Sequence, residues 1–100
     1  MRRYEMLVLM DPDVGDMAEE TGKIREIIGG LGGSEDAYSD VLGRRRLAYP
    51  VRKGNQFPEK SEGIYVLFRF GLEPSQTFEL KRVLGLRPNV IRQMLILKDE

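Results

Sequence analysis

Residues 3 to 10, "RYEMLVLM", form a compact apolar run that stops at "DPDVG", a stretch of turn-forming residues. This predicts a strand. The spacing then changes: Val14, Met17, Thr21, Ile24, Ile28 and Leu31 recur at steps of three and four, which sets them on one face of a helix. Asp13 or Asp16 is placed to accept hydrogen bonds from the first free amides, and acids there suit the positive helix end. "GGLGGS" (29–34) ends the helix, because glycine readily adopts the left-handed conformation found just beyond one.

Residues 36–52 predict a second strand, weak at first and clearer through "RRLAYPV". Pro50 lacks a backbone donor, so its strand belongs at a sheet edge. "KGNQFPEKSEG" (53–63) predicts a long hairpin connection, and "IYVLFRF" (64–70), β-branched and aromatic, the clearest strand. A second helix is predicted from Pro74 or Ser75, with Leu80, Val83 and Leu84 as its apolar face. "RPN" breaks it, and "VIRQMLILK" supplies the last strand.

The order strand, helix, strand, strand, helix, strand is the split βαβ, or ferredoxin-like, pattern of the α+β class. It predicts one domain over residues 1–100, with a four-stranded antiparallel sheet and two helices on one face. Right-handed crossovers place strands one and three centrally and two and four at the edges, where Pro50 is tolerated. Alternation assigns Ile64, Val66, Phe68, Phe70 and Leu72, with Met6, Val8 and Met10, to the helix-covered face. Leu7, Leu9, Tyr65 and Leu67 then form an apolar patch on the open face, either ordinary incomplete coverage or a protein contact. The last strand is apolar on both sides and its parity stays open.

Composition narrows the chemistry. The chain has no cysteine and no histidine, which removes disulfides, thiolate nucleophiles and the side chain best suited to proton transfer near neutrality. No dense acidic loop has calcium-site spacing, so no metal or other cofactor is expected. The two arginines and apolar run at the start lack a small-residue cleavage site, and nothing reaches membrane-spanning length. Ser34, Ser39, Ser61 and Ser75 have no nucleophile-elbow context, and "GGLGGS" follows a helix and lacks the lysine of a phosphate-binding loop. Only a reaction run by arginine and asparagine would remain for an enzyme, so no catalytic residue is assigned.

Charge is segregated although it sums to zero. Residues 11–40 hold nine acidic and two basic side chains, whereas residues 41–60 hold six basic and one acidic. The basic side can attract phosphate despite the neutral total. Its centre is "LGRRRLAYPVRKG" (42–54). On an exposed edge strand, arginines also hinder unwanted strand pairing. Alternation puts Arg44 and Arg46 on one side and Arg45 on the other, so the run cannot be a single flat patch. A generic RNA-binding module that stacks single-stranded bases on its sheet is a second possibility. Strand three offers Tyr65 but not the usual aromatic motif of such domains.

"MRRYE", "LGRRRLAYPVRKG" and "LRPNVIR", in that order and nearly spanning the chain, resemble the small-subunit ribosomal protein S6 family of bacteria and organelles. The resemblance implies a structural component of the small ribosomal subunit, in the cytoplasm or an organelle. Such a protein binds the central domain of the small-subunit ribosomal RNA as a heterodimer with ribosomal protein S18, with no role for a membrane or small-molecule substrate. Matching positions imply that Arg2, Arg3, Arg45, Arg46, Lys53, Arg87 and Arg92 meet RNA. The partner is expected along the second strand, at Asp40, Leu42, Arg45 and Leu47. Three features depart from the family pattern: the hairpin looks longer than in many relatives, Pro88 stands where an acid is common, and the tail after the last strand is nearly missing.

Overall fold

The structure, a computed structural model, describes residues 1–34, 38–53 and 59–98. Its elements are β1 (Arg2–Met10), α1 (Met17–Gly30), β2 (Tyr38–Val51), β3 (Lys60–Leu72), a 3-10 turn (Pro74–Gln76), α2 (Thr77–Gly85) and β4 (Val90–Leu97). The four strands form one antiparallel sheet in the order β2-β3-β1-β4. The expected central and edge strands are therefore the observed ones.

Helix boundaries shift for local reasons. Asp16, not Asp13, caps α1 by accepting a hydrogen bond from the Glu19 amide at 3.1 Å. Val14 lies before the helix, its amide bonded to Asp11 O. At the other end Gly32 has φ +85°, and the Gly33 and Gly32 amides return to Ile28 O and Gly29 O at 2.9 and 3.0 Å. That is a Schellman closure, and it needs the left-handed residue that glycine supplies. Pro74 opens a 3-10 turn, and α2 proper begins two or three residues later than expected, at Thr77.

The core lies between the helices and the sheet. Met6, Val8, Met10, Val66, Phe68, Phe70 and Leu72 meet Ile24, Ile28, Leu80 and Leu84, all fully buried. Burying these side chains contributes roughly 1.5–3 kcal/mol each before chain entropy is set against it. The parity of β4 is now settled. Val90 and Leu95 pack on the core, while Arg92, Met94 and Ile96 pair with Leu9, Leu7 and Glu5 and share their open face.

Two irregularities in β2 matter for function. Val41 pairs with Val66 and Gly43 with Tyr65, so Leu42 is an extra residue in a bulge, and Gly43 takes φ +107°. Farther along, Arg46 pairs with Glu62 and Val51 with Lys60, leaving residues 47–50 bulged out of the ladder. β3 also begins four residues before the expected strand, because its ladder recruits polar Lys60, Glu62 and Gly63 through backbone groups. Pairing needs amides and carbonyls rather than apolar side chains. Most of the expected hairpin connection, residues 54–58, lies outside the described residues.

Candidate nucleic-acid and partner interface

The bulge at Leu42 re-indexes the edge strand. Asp40 pairs with Leu67 and Arg45 with Gly63, so these two side chains share the open face although they are five positions apart. Arg44 and Arg46 pair with Ile64 and Glu62 and point to the helix-covered side. The middle arginine therefore stands apart from its neighbours, as alternation requires. Leu42 is exposed at the bulge, and Leu47 is half-buried beyond it. The four expected partner residues all lie on β2 but divide between the open face, the bulge and the arm that follows.

The arginines differ in what already engages them. Arg45 Nη1 donates to Arg44 O at 3.1 Å, which folds its guanidinium back over Gly43. Arg44 pairs with Glu62 at 3.4 Å. Among the described residues, Arg2, Arg3, Arg46 and Arg92 have no carboxylate partner, and all four are exposed. Arg3 and Arg92 lie on the open face near opposite ends of the strands, ~20 Å apart by strand rise.

Two cations expected at RNA have internal partners. Arg87 donates from Nε to Glu20 Oε1 at 2.8 Å, and its Nη2 lies 2.8 Å from the same oxygen. The Arg87 guanidinium holds the Glu20 carboxyl below its ordinary value against the opposing effect of burial. Lys53 Nζ donates to Gly85 O at 2.8 Å and to Val90 O at 2.5 Å, and burial pushes its ammonium below the usual lysine value. The end of a helix carries partial negative charge, which suits a cation at Gly85. Glu20 was missed in the sequence because an acid on the apolar stripe of a helix is normally solvated. Partners distant in sequence, Arg87 first and then the Asn89 side chain, make its burial acceptable.

The open face is not bare. The arm 47–51 bends over it and, with Leu7, Leu9, Tyr65, Arg92 and Met94, encloses a groove of about 380 Å³. Leu9 is consequently only 5% exposed, and the patch expected from Leu7, Leu9, Tyr65 and Leu67 is partly roofed. Gly63 permits this: a Cβ there would lie 2.3 Å from Leu9 Cδ1. At the far end of the face, Glu5 pairs with Arg69 at 2.8 Å and with Lys98 at 3.3 Å, and both cations hold its carboxyl below its ordinary value. No group of three or more potential ligands able to hold a metal ion occurs among the described residues.

Residues 3–97 match the family model described as Ribosomal protein S6. The small ribosomal subunit protein bS6 of Micrococcus luteus is 40% identical over 102 aligned residues, covering 100% of this chain and 94% of that protein. The bS6 protein of Acidothermus cellulolyticus is 41% identical, covering 99% of this chain and 98% of its own. Among solved structures, 30S ribosomal protein S6 from Thermotoga maritima superimposes with a TM-score of 0.78 at 25% identity, covering 97% of this chain and 87% of the other. With the split βαβ sheet, the arginine-bearing edge strand and a match running nearly end to end, the chain belongs to the ribosomal protein S6 family, whose members are structural and non-enzymatic.

Proposed function

We propose that the protein is a structural component of the bacterial small ribosomal subunit, where it binds the central domain of the ribosomal RNA together with ribosomal protein S18. The observation that carries this reading is the outer edge of β2. It is a 14-residue strand with no sheet neighbour on one side among the described residues, and it presents Asp40 and Arg45 to the open face and Arg46 to the other. Such an edge can accept a partner strand or loop through backbone groups, with the opposite charges selecting orientation. Leu42 and Leu47 supply apolar contact beside them.

Arg2, Arg3, Arg46 and Arg92 are the phosphate contacts in this proposal, since no carboxylate among the described residues neutralises them. Arg45 serves the partner side. Arg87 and Lys53 support the surface from beneath, because two donors of each are already turned to internal partners. Arginines spread over the molecule suit recognition of folded RNA by shape and backbone, and an uncharged total makes a basic partner a source of added attraction. Stacking of single-stranded bases on the sheet is less well supported, since Tyr65 lies in the groove beneath the arm.

Filter binding of a central-domain RNA fragment tests the reading, with and without S18 and across a salt series. Weak binding that falls with salt and tightens on adding S18 is expected. Salt-independent binding, or affinity unmoved by S18, would overturn it.

A further inference from the structure

The arm formed by residues 47–53 is held at few points: Val51 pairs with Lys60 of β3, and Arg52 lies 3.6 Å from Glu59. Ala48, Tyr49 and Pro50 are exposed, Tyr49 to 79%, and the β2–β3 ladder is interrupted between Arg46 and Val51. Few buried apolar contacts and a broken ladder mark a segment at the low-stability end of a fold. The arm nevertheless crosses the open face from the β2 edge to β4, the strand at the opposite edge. At its end Lys53 donates to Gly85 O and Val90 O, one at the C-terminus of α2 and the other at the start of β4.

The turn that receives Lys53 is itself fixed. Arg87 is gripped by Glu20 of α1, and the Asp11 amide donates to Asn89 O at 2.8 Å. A sparsely held arm thus ends on a rigid receiver. We propose that Lys53 is a latch: by bridging the carbonyls of Gly85 and Val90, its ammonium holds residues 47–53 folded over the sheet and keeps the groove above Leu9 and Tyr65 closed on that side. Releasing it lets the arm swing about the bulge at 47–50 and uncovers the apolar floor, while the helix-covered core stays intact.

The latch is built from one side chain and two backbone carbonyls, so the informative change is at Lys53. Lys53→Met keeps the length and apolar stem but removes the donors. Hydrogen exchange followed by mass spectrometry should show segment 47–53 exchanging about ten-fold faster in this variant, while β1 and the central part of β3 keep their protection. Lys53→Arg, which keeps charge and donors, should restore most of the protection. Equal exchange of 47–53 in wild type and Lys53→Met would overturn the proposal, as would acceleration spread evenly over the whole sheet. If Lys53→Met fails to fold, wild-type native-state exchange at low denaturant decides the matter. The latch requires amides of the arm to open as a unit below the global unfolding free energy, and exchange only through global unfolding refutes it.

Discussion

Arg87 and Glu20 lie 67 positions apart in the chain, yet Nε and Nη2 of the arginine both stand 2.8 Å from one oxygen of the glutamate. The Glu20 side chain is only 8% exposed, so an unpaired charge there would be expensive. The pair ties α1 to the turn before β4. Arg87→Met should therefore destabilise the protein by about 3 kcal/mol, because it leaves a buried carboxylate without its cation. Urea denaturation at neutral pH measures this, and a loss below about 1 kcal/mol would mean that water reaches Glu20 freely.

The same pair predicts a pH dependence. Arg87 lowers the folded-state value of Glu20 below the ordinary 4.5, so the unfolded chain takes up the proton first as pH falls. Stability from this group is complete well above 4.5 and is lost progressively from about pH 5 down through the depressed folded value. The wild type should show that acid-side loss, and in Glu20→Gln it should be reduced. Denaturation midpoints between about pH 3 and 7 check the difference.

Gly43→Ala tests the bulge. A φ of +107° strains any residue with a Cβ, and the added carbon would also sit 3.1 Å from Arg45 Nη1. A loss of about 1–3 kcal/mol is expected at unchanged denaturant slope, together with weaker assembly with S18. Stability equal to wild type would show that the edge can pair without the bulge.

Gly63→Ala tests the roof over the sheet. Its Cβ would fall 2.3 Å from Leu9 Cδ1, a contact that one of the two must yield. The single change should cost about 1–3 kcal/mol. Combined with Leu9→Ala it should cost less than the sum of the two, and a double-mutant cycle measures that coupling. Strict additivity would mean that Leu9 already moves aside.

Arg44 and Arg46 should differ in RNA binding. Arg46→Ala is expected to lower the slope of log affinity against log salt by about one, uniformly across RNA sequences. Arg44→Ala should change it less, because Glu62 already sits 3.4 Å from that guanidinium. Equal effects would place both on phosphate.

Strand order, helix faces and the core were legible because they rest on periodicity: Ile24, Ile28, Leu80 and Leu84 are buried where the spacing put them. The edge position of Pro50 followed from its missing donor. Backbone events were less legible. The start of β3 at Lys60 and the extra residue Leu42 leave no apolar signature, and a glycine within a basic run gives only a weak hint of a bulge. For the candidate site, the run Arg44–Arg46 was correctly split by alternation. What eluded the sequence was engagement: nothing in "YPVRKG" reveals that Lys53 reaches residues 32 and 37 positions away. Long-range ion pairs and hydrogen bonds depend on tertiary placement and have no local period.

The bulge at Leu42 also gives β2 a tolerance of length that no point substitution reveals. Deleting Leu42 would leave Val41 opposite Val66 and Gly43 opposite Tyr65 in an unbroken ladder, so Asp40 and Arg45 would both keep the open face and Ser39 the helix-covered one. One lost codon there would straighten the edge and spare both faces of the strand.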